Sequence, residues 1–465
     1  MKFAEIIYKF ELYKRNSMKK NIVIVGGGLV GSVLACFLAK RGNKVSVYER
    51  RSDMRTAGYI GGRSINLALS NRGWATLERV GLRAAIEEIA IPMKGRTVHN
   101  LDATTALIPY GNEGQAIYSV SRGELNKALV NEAEKFEGVQ FYFDERCEDV
   151  DFKNNVITFE NAITQKISTV KADLIIGADG AFSEVRYRMQ KVTPNFTFSQ
   201  TFETYGYKEL HIPADAMGNF QIEKNALHIW PRKSFMMIAL PNIDGTFTCT
   251  LFAPFHGENS FDTVKNAEDV EAYFTKHFPS AVPLMPTLKE DFLNNPTSSL
   301  ATIRCYPWVY QNTALIGDAA HGVVPFYGQG MNCGFEDVRI LDELLDESHD
   351  DWESALDNYQ KSRKPNADAI ADLALYNFIE MRDLSAQPEF QLRLKIEKKI
   401  AAEFSGKFNT LYSMVTFDQT PYAEAKRQGE KQSELLDQIM RLSNIENKWE
   451  SAEVMDIAKE WIENN

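Results

Sequence analysis

The chain has 465 residues, of which 44% are hydrophobic and 25% charged; 52 basic against 63 acidic side chains leave a formal net charge of −11. That length admits two or three domains, or one large domain with an appendage, of ordinary globular composition. The acidic balance disfavours nucleic acid as a partner, since phosphate binding needs a basic surface. The 5 cysteines (Cys36, Cys147, Cys249, Cys305 and Cys333) are scattered, with no CxxC and no Cys/His cluster in the sequence. Neither a disulfide framework nor a zinc site is therefore expected, and the metal expectation is none.

In chain order, the opening "MKFAEIIYKFELYKRNS" does not read as a signal peptide, because Glu5, Lys9 and Glu11 interrupt any apolar run. Residues 1–17 read as a dispensable extension. Residues 21–39 carry no charge and meet the length criterion for a membrane helix. Gly26, Gly27, Gly28 and Gly31 cluster within them, however, and fit a strand-to-helix turn better than a continuous span.

"NIVIVG" has the β-branched run of a buried parallel strand. "LVGSVLACFLAKRG" reads as a helix stopped at Gly42, and "KVSVYE" as a second strand. This β-α-β unit places Gly26-x-Gly28-x-x-Gly31 at its first turn and Glu49 at the end of its second strand. The first glycine permits the tight turn, the second lets a pyrophosphate approach the backbone, and the third allows close helix–strand packing. The helix N-terminus offers free N–H groups and its positive dipole end to phosphate. Glu49 is placed to accept hydrogen bonds from a ribose.

"GGRSINLALSNRGWATLERVGL" mixes an extended piece with a helix. "SRGELNKALVNEAEKF" is a helix with Ser121 as N-cap and Glu124 at capping-box spacing. "GVQFYF" and "NVITFE" are strand-like, and "ADLIIGADGAFSEVR" runs from a buried strand through Asp179-Gly180 into a helix. Near residues 201–255, "ALHIWP", "FMMIAL" and "TFTCTLF" predict an antiparallel sheet. Beyond Asn332 the pattern is mostly helical.

In "GDAAHGVVPFYGQGMN", Asp318 and His321 suggest a metal site or an acid–base pair, while the glycines suggest a backbone close to a ligand. No further ligand types stand nearby in the sequence, so His321 reads as a packing or hydrogen-bonding residue.

Taken together, GxGxxG…Glu49, "GADGAFSEVR" and "GDAAHGVVPFYGQGMN" resemble the aromatic-hydroxylase family of flavoprotein monooxygenases, typified by p-hydroxybenzoate hydroxylase. "GGRSINLALS", "IPMKGR", "IPYG", "YSVSRGELNKAL", "NALHIWPR", "FMMIALPN", "PFYGQGMNCGFED", "YNFIEMR" and "LYSMVTF" resemble its kynurenine-hydroxylating branch, from about residue 20 to about residue 428.

The fold this resemblance implies is α/β: a Rossmann-like FAD-binding domain, an inserted antiparallel-sheet substrate domain and a C-terminal helical region. The corresponding boundaries are 18–200 for FAD binding with part of the substrate region, 201–300 for the inserted sheet, 301–345 for the return to the FAD-binding domain, and 346–465 for the helices. The implied FAD contacts are Gly26, Gly28, Leu29, Val30, Gly31, Tyr48, Glu49, Arg50, Arg51, Ala68, Arg122, Asp179, Asp318, Gly330, Met331 and Asn332, with Asp318 on the ribityl chain. Arg186 would lie near the pyrophosphate.

Arg96 and Tyr110 would hold the amino-acid carboxylate of L-kynurenine, helped by Asn377 and Tyr412. Phe252, Phe326 and Met381 would line the ring pocket. Without the resemblance, Arg96 and Arg122 read as solvated charges, and Tyr412 and Met381 as ordinary core. The implied reaction is 3-hydroxylation of L-kynurenine in tryptophan catabolism, with NADPH and O2, through a flavin C4a-hydroperoxide and with no catalytic side chain. NADPH would dock transiently, there being one dinucleotide fold. Tyr327 receives no proton-transfer role.

The alternatives are a hydroxylase of another aromatic acid and a non-catalytic flavin-binding sensor. The charged tail "IENKWESAEVMDIAKEWIENN" carries no apolar run near ~20 residues and reads as an amphipathic helix. The expectation is a cytoplasmic protein without a membrane anchor, and a homodimer is one arrangement this reading admits.

Overall fold

In the computed structural model, residues 19–57, 65–110, 114–381 and 387–464 are described. The expected extension at 1–17 lies outside them. The chain forms two compact units. The first comprises the described parts of Met1–Ile91, Tyr118–Glu203 and Ser299–Asp368; the second comprises those of Pro92–Ile117, Thr204–Ser298 and Ala369–Asn465.

The first unit is built on a parallel sheet. Val139–Tyr142, Lys44–Tyr48, Asn21–Val25, Leu174–Gly177 and Thr313–Leu315 lie side by side in that order, and Val309–Tyr310 closes the edge in the antiparallel sense. The apolar run of Asn21–Val25 is explained by its central position, where Ile22 to Val25 are all buried. The helix Leu29–Lys40 packs on this sheet, with Val33, Leu34, Phe37 and Leu38 among its buried residues. It stops at Gly42, whose φ of +83° is the left-handed conformation expected of a helix-ending glycine. Ser121 caps the helix Arg122–Glu134 by accepting from the Glu124 N–H, as its spacing predicts.

The second unit carries most of a seven-stranded sheet, in which Thr197–Ile212, Phe247–Pro254, Met236–Pro241, Ala226–Pro231, Gly95–His99 and Thr105–Pro109 follow one another. The hairpin of Gly95–His99 and Thr105–Pro109 extends the sheet found downstream. Its junction, Gly95–His99 against Ala226–Pro231, is parallel, so the sheet is mixed rather than wholly antiparallel. The helices Ala267–His277 and Leu288–Asn294 contribute Phe274 and Phe292 to the core on this sheet.

The C-terminal helices Pro388–Glu403, Tyr422–Met440 and Ala452–Asn464 share a separate cluster of Ile396, Ile400, Leu435, Ile439, Val454 and Ala458. The charged tail therefore packs on its own chain through Val454 and Ala458. Among the described residues, no helix is long and apolar enough to cross a membrane.

Candidate functional site

The dinucleotide turn assigns a different job to each glycine. Gly26 has a φ of +109°, and a Cβ there would meet the Ala178 carbonyl oxygen at 2.4 Å. A Cβ on Gly31 would meet the Gly26 carbonyl oxygen at 2.0 Å. Both are demanded by the chain's own backbone. A Cβ on Gly28 would meet nothing within 4 Å. This glycine leaves space open at the N-terminus of a helix that has no acidic first turn and no side-chain cap. An open approach to free N–H groups is what an anionic diphosphate requires.

Glu49 is 6% exposed, and its carboxylate accepts from the Gly27 N–H at 2.9 Å and from the Arg51 N–H at 3.0 Å. It braces the turn while keeping lone pairs for a hydroxyl donor. The Tyr48 ring is buried, stacked on Phe159 and Tyr142 with centroids 4.0 and 4.6 Å away. Burial pushes its phenol up to about 12. Arg50, Arg51 and Arg122 are exposed, and among the described residues none of them makes an ion pair.

Asp179 faces inward. Its carboxylate accepts from Ser183 Oγ at 2.5 Å and from the N–H groups of Glu184 at 2.7 Å and Val185 at 3.2 Å, capping the helix Glu184–Val192. Arg186 is likewise committed, donating to the carbonyls of Ala319 at 2.8 Å and Ala181 at 2.6 Å.

The third motif forms a short 3-10 turn at Gly317–Ala319, a second at Pro325–Tyr327, and then the helix Gly330–Glu347. Gly317 and Gly334 both press on Val30, where a Cβ would come within 3.1 and 2.6 Å. Asn332 is fully buried: its Oδ1 accepts from the Ser70 N–H at 3.0 Å, and its Nδ2 donates to the carbonyls of Ala68 and Gly328, each at 2.8 Å. It ties the strand Asn66–Leu69 to the glycine-rich loop. The helix beginning at Gly330, followed by the buried Met331, has neither a side-chain cap nor an acidic first turn. Asp318 opens onto solvent, yet desolvation by the surrounding protein pushes its carboxyl up, against the pull of His321 and Arg122.

His321 does not pair with Asp318. Its Nε2 lies 2.5 Å from Asp337 Oδ2, and its Nδ1 lies 3.9 Å from Cys333 Sγ. Sequence spacing gave no hint that Cys333 and Asp337 converge on this histidine, with ligand atoms all within 4.8 Å of one another. Arg363 argues against a cation among them. It donates to Asp337 at 2.7 Å and approaches Cys333 Sγ at 3.5 Å, so a metal ion would sit against a guanidinium. The same arginine donates to Glu336 at 2.7 Å, and Glu336 also accepts from the buried Arg72 at 2.6 Å. Burial acts to raise Asp337 and Glu336, but His321 and Arg363 on the first, and Arg363 and Arg72 on the second, hold both below the usual carboxylate range.

Within the second unit, Arg96 and Tyr110 come from the two arms of one hairpin, where Arg96 opposes Ile108 and the Tyr110 N–H donates to the Lys94 carbonyl at 3.2 Å. The Arg96 guanidinium carbon lies 5.3 Å from the Tyr110 ring centre and 5.1 Å from that of Tyr412, and the two rings stack 5.7 Å apart. Arg96 Nε and Tyr110 Oη are buried without a hydrogen-bond partner. Burial acts to lower the guanidinium and raise the Tyr110 phenol; the neighbouring phenols leave Arg96 above its usual range.

Asn377 is 6% exposed and donates to Met381 Sδ at 3.5 Å, one turn along the same helix. Phe252 lies three strands away from Arg96, buried beside Tyr207. Phe326 is buried in the first unit.

Residues 19–374 match the family model described as an FAD binding domain. The chain is 48% identical over 434 residues to a kynurenine 3-monooxygenase of Flavobacterium johnsoniae, covering 93% of this chain and 96% of that protein. The chain belongs to the kynurenine 3-monooxygenase family. A kynurenine 3-monooxygenase of Dictyostelium discoideum is 43% identical, with 91% of this chain and 94% of that protein covered. Among solved structures, a 2-methyl-3-hydroxypyridine-5-carboxylic acid oxygenase superposes with a TM-score of 0.64 at 22% identity, covering 80% of this chain and 94% of that one. That likeness is one of fold. The kynurenine 3-monooxygenase family thus supplies the context in which the glycine turn and the Arg96 cluster are read.

Proposed function

We propose that this protein hydroxylates L-kynurenine to 3-hydroxy-L-kynurenine, with FAD as cofactor and NADPH and O2 as co-substrates. The observation that carries this reading is the Arg96–Tyr110–Tyr412 cluster, which leaves Arg96 Nε and Tyr110 Oη buried and unpartnered. Unmet donors in a buried setting cost free energy until a ligand satisfies them. A guanidinium beside two phenols suits a carboxylate, taken in bidentate fashion. In this reading Asn377 adds an amide to the clamp, and Met381 and Phe252 supply apolar surface for the aromatic ring.

The residues of the first unit fit FAD. Gly28 leaves room for the diphosphate, Arg50, Arg51 and Arg122 offer unpaired positive charge, and Asp318 can accept from a ribityl hydroxyl. Leu29, Val30, Ala68, Gly330 and Met331 would line the cofactor. Asn332, Glu49 and Asp179 would hold the surrounding backbone, and Tyr48 would contribute through its main chain. When bound and reduced, FAD would supply the electrons that activate O2 for transfer of one of its oxygen atoms to the ring. The protein's task is to orient the ring carbon and to keep water away.

The test is direct. The purified protein should show a flavin spectrum, oxidise NADPH faster when L-kynurenine is added, and yield 3-hydroxykynurenine by mass. Flavin without any stimulation by aromatic amino acids would favour a sensor. Stimulation by a different aromatic acid alone would favour another hydroxylase.

A further inference from the structure

We propose that Asn126 and Ser32 are positioning residues for the cofactor: together they hold the peptide unit that presents the Gly28 N–H to the FAD diphosphate. The proposal rests on the placement of that diphosphate at the Gly28 turn.

Asn126 is an unexpected side chain for its place. It lies in the interior of the helix Arg122–Glu134, 8% exposed, between Leu125 and Leu129 of the core. Asparagine is a poor helix former, and its amide is costly to bury without partners. Its Nδ2 donates to the Gly27 carbonyl oxygen at 3.3 Å and lies 3.4 Å from Met54 Sδ. The fully buried Ser32, in the first turn of the helix Leu29–Lys40, donates its Oγ to the same carbonyl at 3.2 Å. The Gly27 N–H is taken by Glu49 at 2.9 Å. Both peptide units that meet at Gly27 are therefore tied to side chains. Glycine has no side chain to limit its own dihedrals, so these ties decide how the two peptides lie.

The direction follows from peptide geometry. The unit is planar and trans, so the Gly28 N–H points opposite to the Gly27 carbonyl. Tying that carbonyl inward, to two buried donors, turns the N–H outward. Gly28 itself leaves that approach open, since a Cβ there would meet nothing within 4 Å. The first N–H groups of a helix have no intrahelical acceptor. They bind an anion most tightly when they are aimed before it arrives.

The rival reading is that Asn126 only fastens its helix to the turn. The experiment separates the two by titrating apoprotein with FAD and reading the bound diphosphate by phosphorus NMR. N126L and S32A each remove one neutral hydrogen bond from the carbonyl. Each should raise the Kd for FAD by roughly threefold to tenfold and shift the two phosphorus signals of bound FAD. L129A removes buried side chain one turn along the same helix. It should lower the apoprotein's Tm and leave those signals at their wild-type positions.

Wild-type affinity in N126L overturns the assignment, and so does weakened binding with unmoved phosphorus signals. S32A reads the same carbonyl if N126L fails to fold. If Gly28→Ala also binds FAD as tightly as the wild type, the diphosphate's placement at this turn falls, and with it the basis of the proposal.

Discussion

Tyr110 and Tyr412 stack with ring centroids 5.7 Å apart and planes within 11°, although they stand at distant points of the chain. The stack sets both phenol rings on one side of the Arg96 guanidinium, each about as far from it as the other. A planar fork held this way presents its N–H groups in one direction. Arg96→Lys keeps the charge and loses the fork. It should lower kcat/KM for L-kynurenine by roughly tenfold to hundredfold, mainly through KM. FAD content should remain that of the wild type. Steady-state kinetics with a flavin absorbance count checks both, and unchanged kinetics would remove Arg96 from the clamp.

Gly28 and Gly31 should fail in different ways when replaced by alanine. Gly31→Ala drives a Cβ into the Gly26 carbonyl at 2.0 Å, so the turn itself must move. The apoprotein should lose stability as well as FAD. Gly28→Ala meets nothing within 4 Å, so the apoprotein's Tm should match the wild type. Its FAD affinity should nevertheless fall at least about tenfold, because the new methyl occupies the diphosphate's approach. Thermal melts of apoprotein beside FAD titrations separate the two outcomes.

Arg363 joins Glu336 and Asp337, each at 2.7 Å, with all three side chains almost fully buried. Replacing the arginine with methionine keeps volume but leaves buried Asp337 with His321, and buried Glu336 with Arg72 and Arg339, as their remaining positive partners. The expected loss is about 3–5 kcal/mol of unfolding free energy, typical of breaking a buried pair from one side. Urea unfolding at neutral pH measures it. A loss below about 1 kcal/mol, the range of exposed pairs, would show that water reaches this cluster.

The parts legible in the sequence are those where backbone geometry dictates residue type. The GxGxxG turn is readable because Gly26 and Gly31 have no alternative, and the Ser121 cap because a hydroxyl at that position satisfies a free N–H. The Arg96 cluster is not readable from spacing. Its members come from an edge hairpin and a late helix, and only a likeness to known proteins points to them.

The buried network was missed for a related reason. Glu336 and Asp337 sit between Phe335 and Val338, two core residues, and that position was the signal available. Their partners Arg72 and Arg363 lie on helices whose burial no local pattern announces. The Asp318–His321 pairing suggested by proximity in the chain gave way to His321–Asp337: the His321 ring is buried against Asp337, while Asp318 is exposed.

His99 and His228 make the last prediction. His228 Nε2 lies 2.8 Å from the Glu223 carbonyl oxygen, which can only accept, so this nitrogen carries the proton. In the neutral ring Nδ1 is then an acceptor, and His99 Nε2, 2.9 Å away, must donate to it. Protonating His228 sets two N–H groups against each other. Burial, then the neighbouring His228 and Arg232, hold His99 down at about 4, and burial also holds His228 below its usual range. A lowered histidine favours proton binding in the unfolded chain. The stability from the neutral pair is therefore full above about pH 6.5, the unfolded value, and declines as pH falls toward 4. The slope is at most about 1.4 kcal/mol per pH unit for each ring. Urea unfolding at several pH values in this window, comparing wild type with His99→Gln, reads the difference. The variant should show the shallower acid loss, and equal slopes would mean that His99 does not titrate as its burial requires.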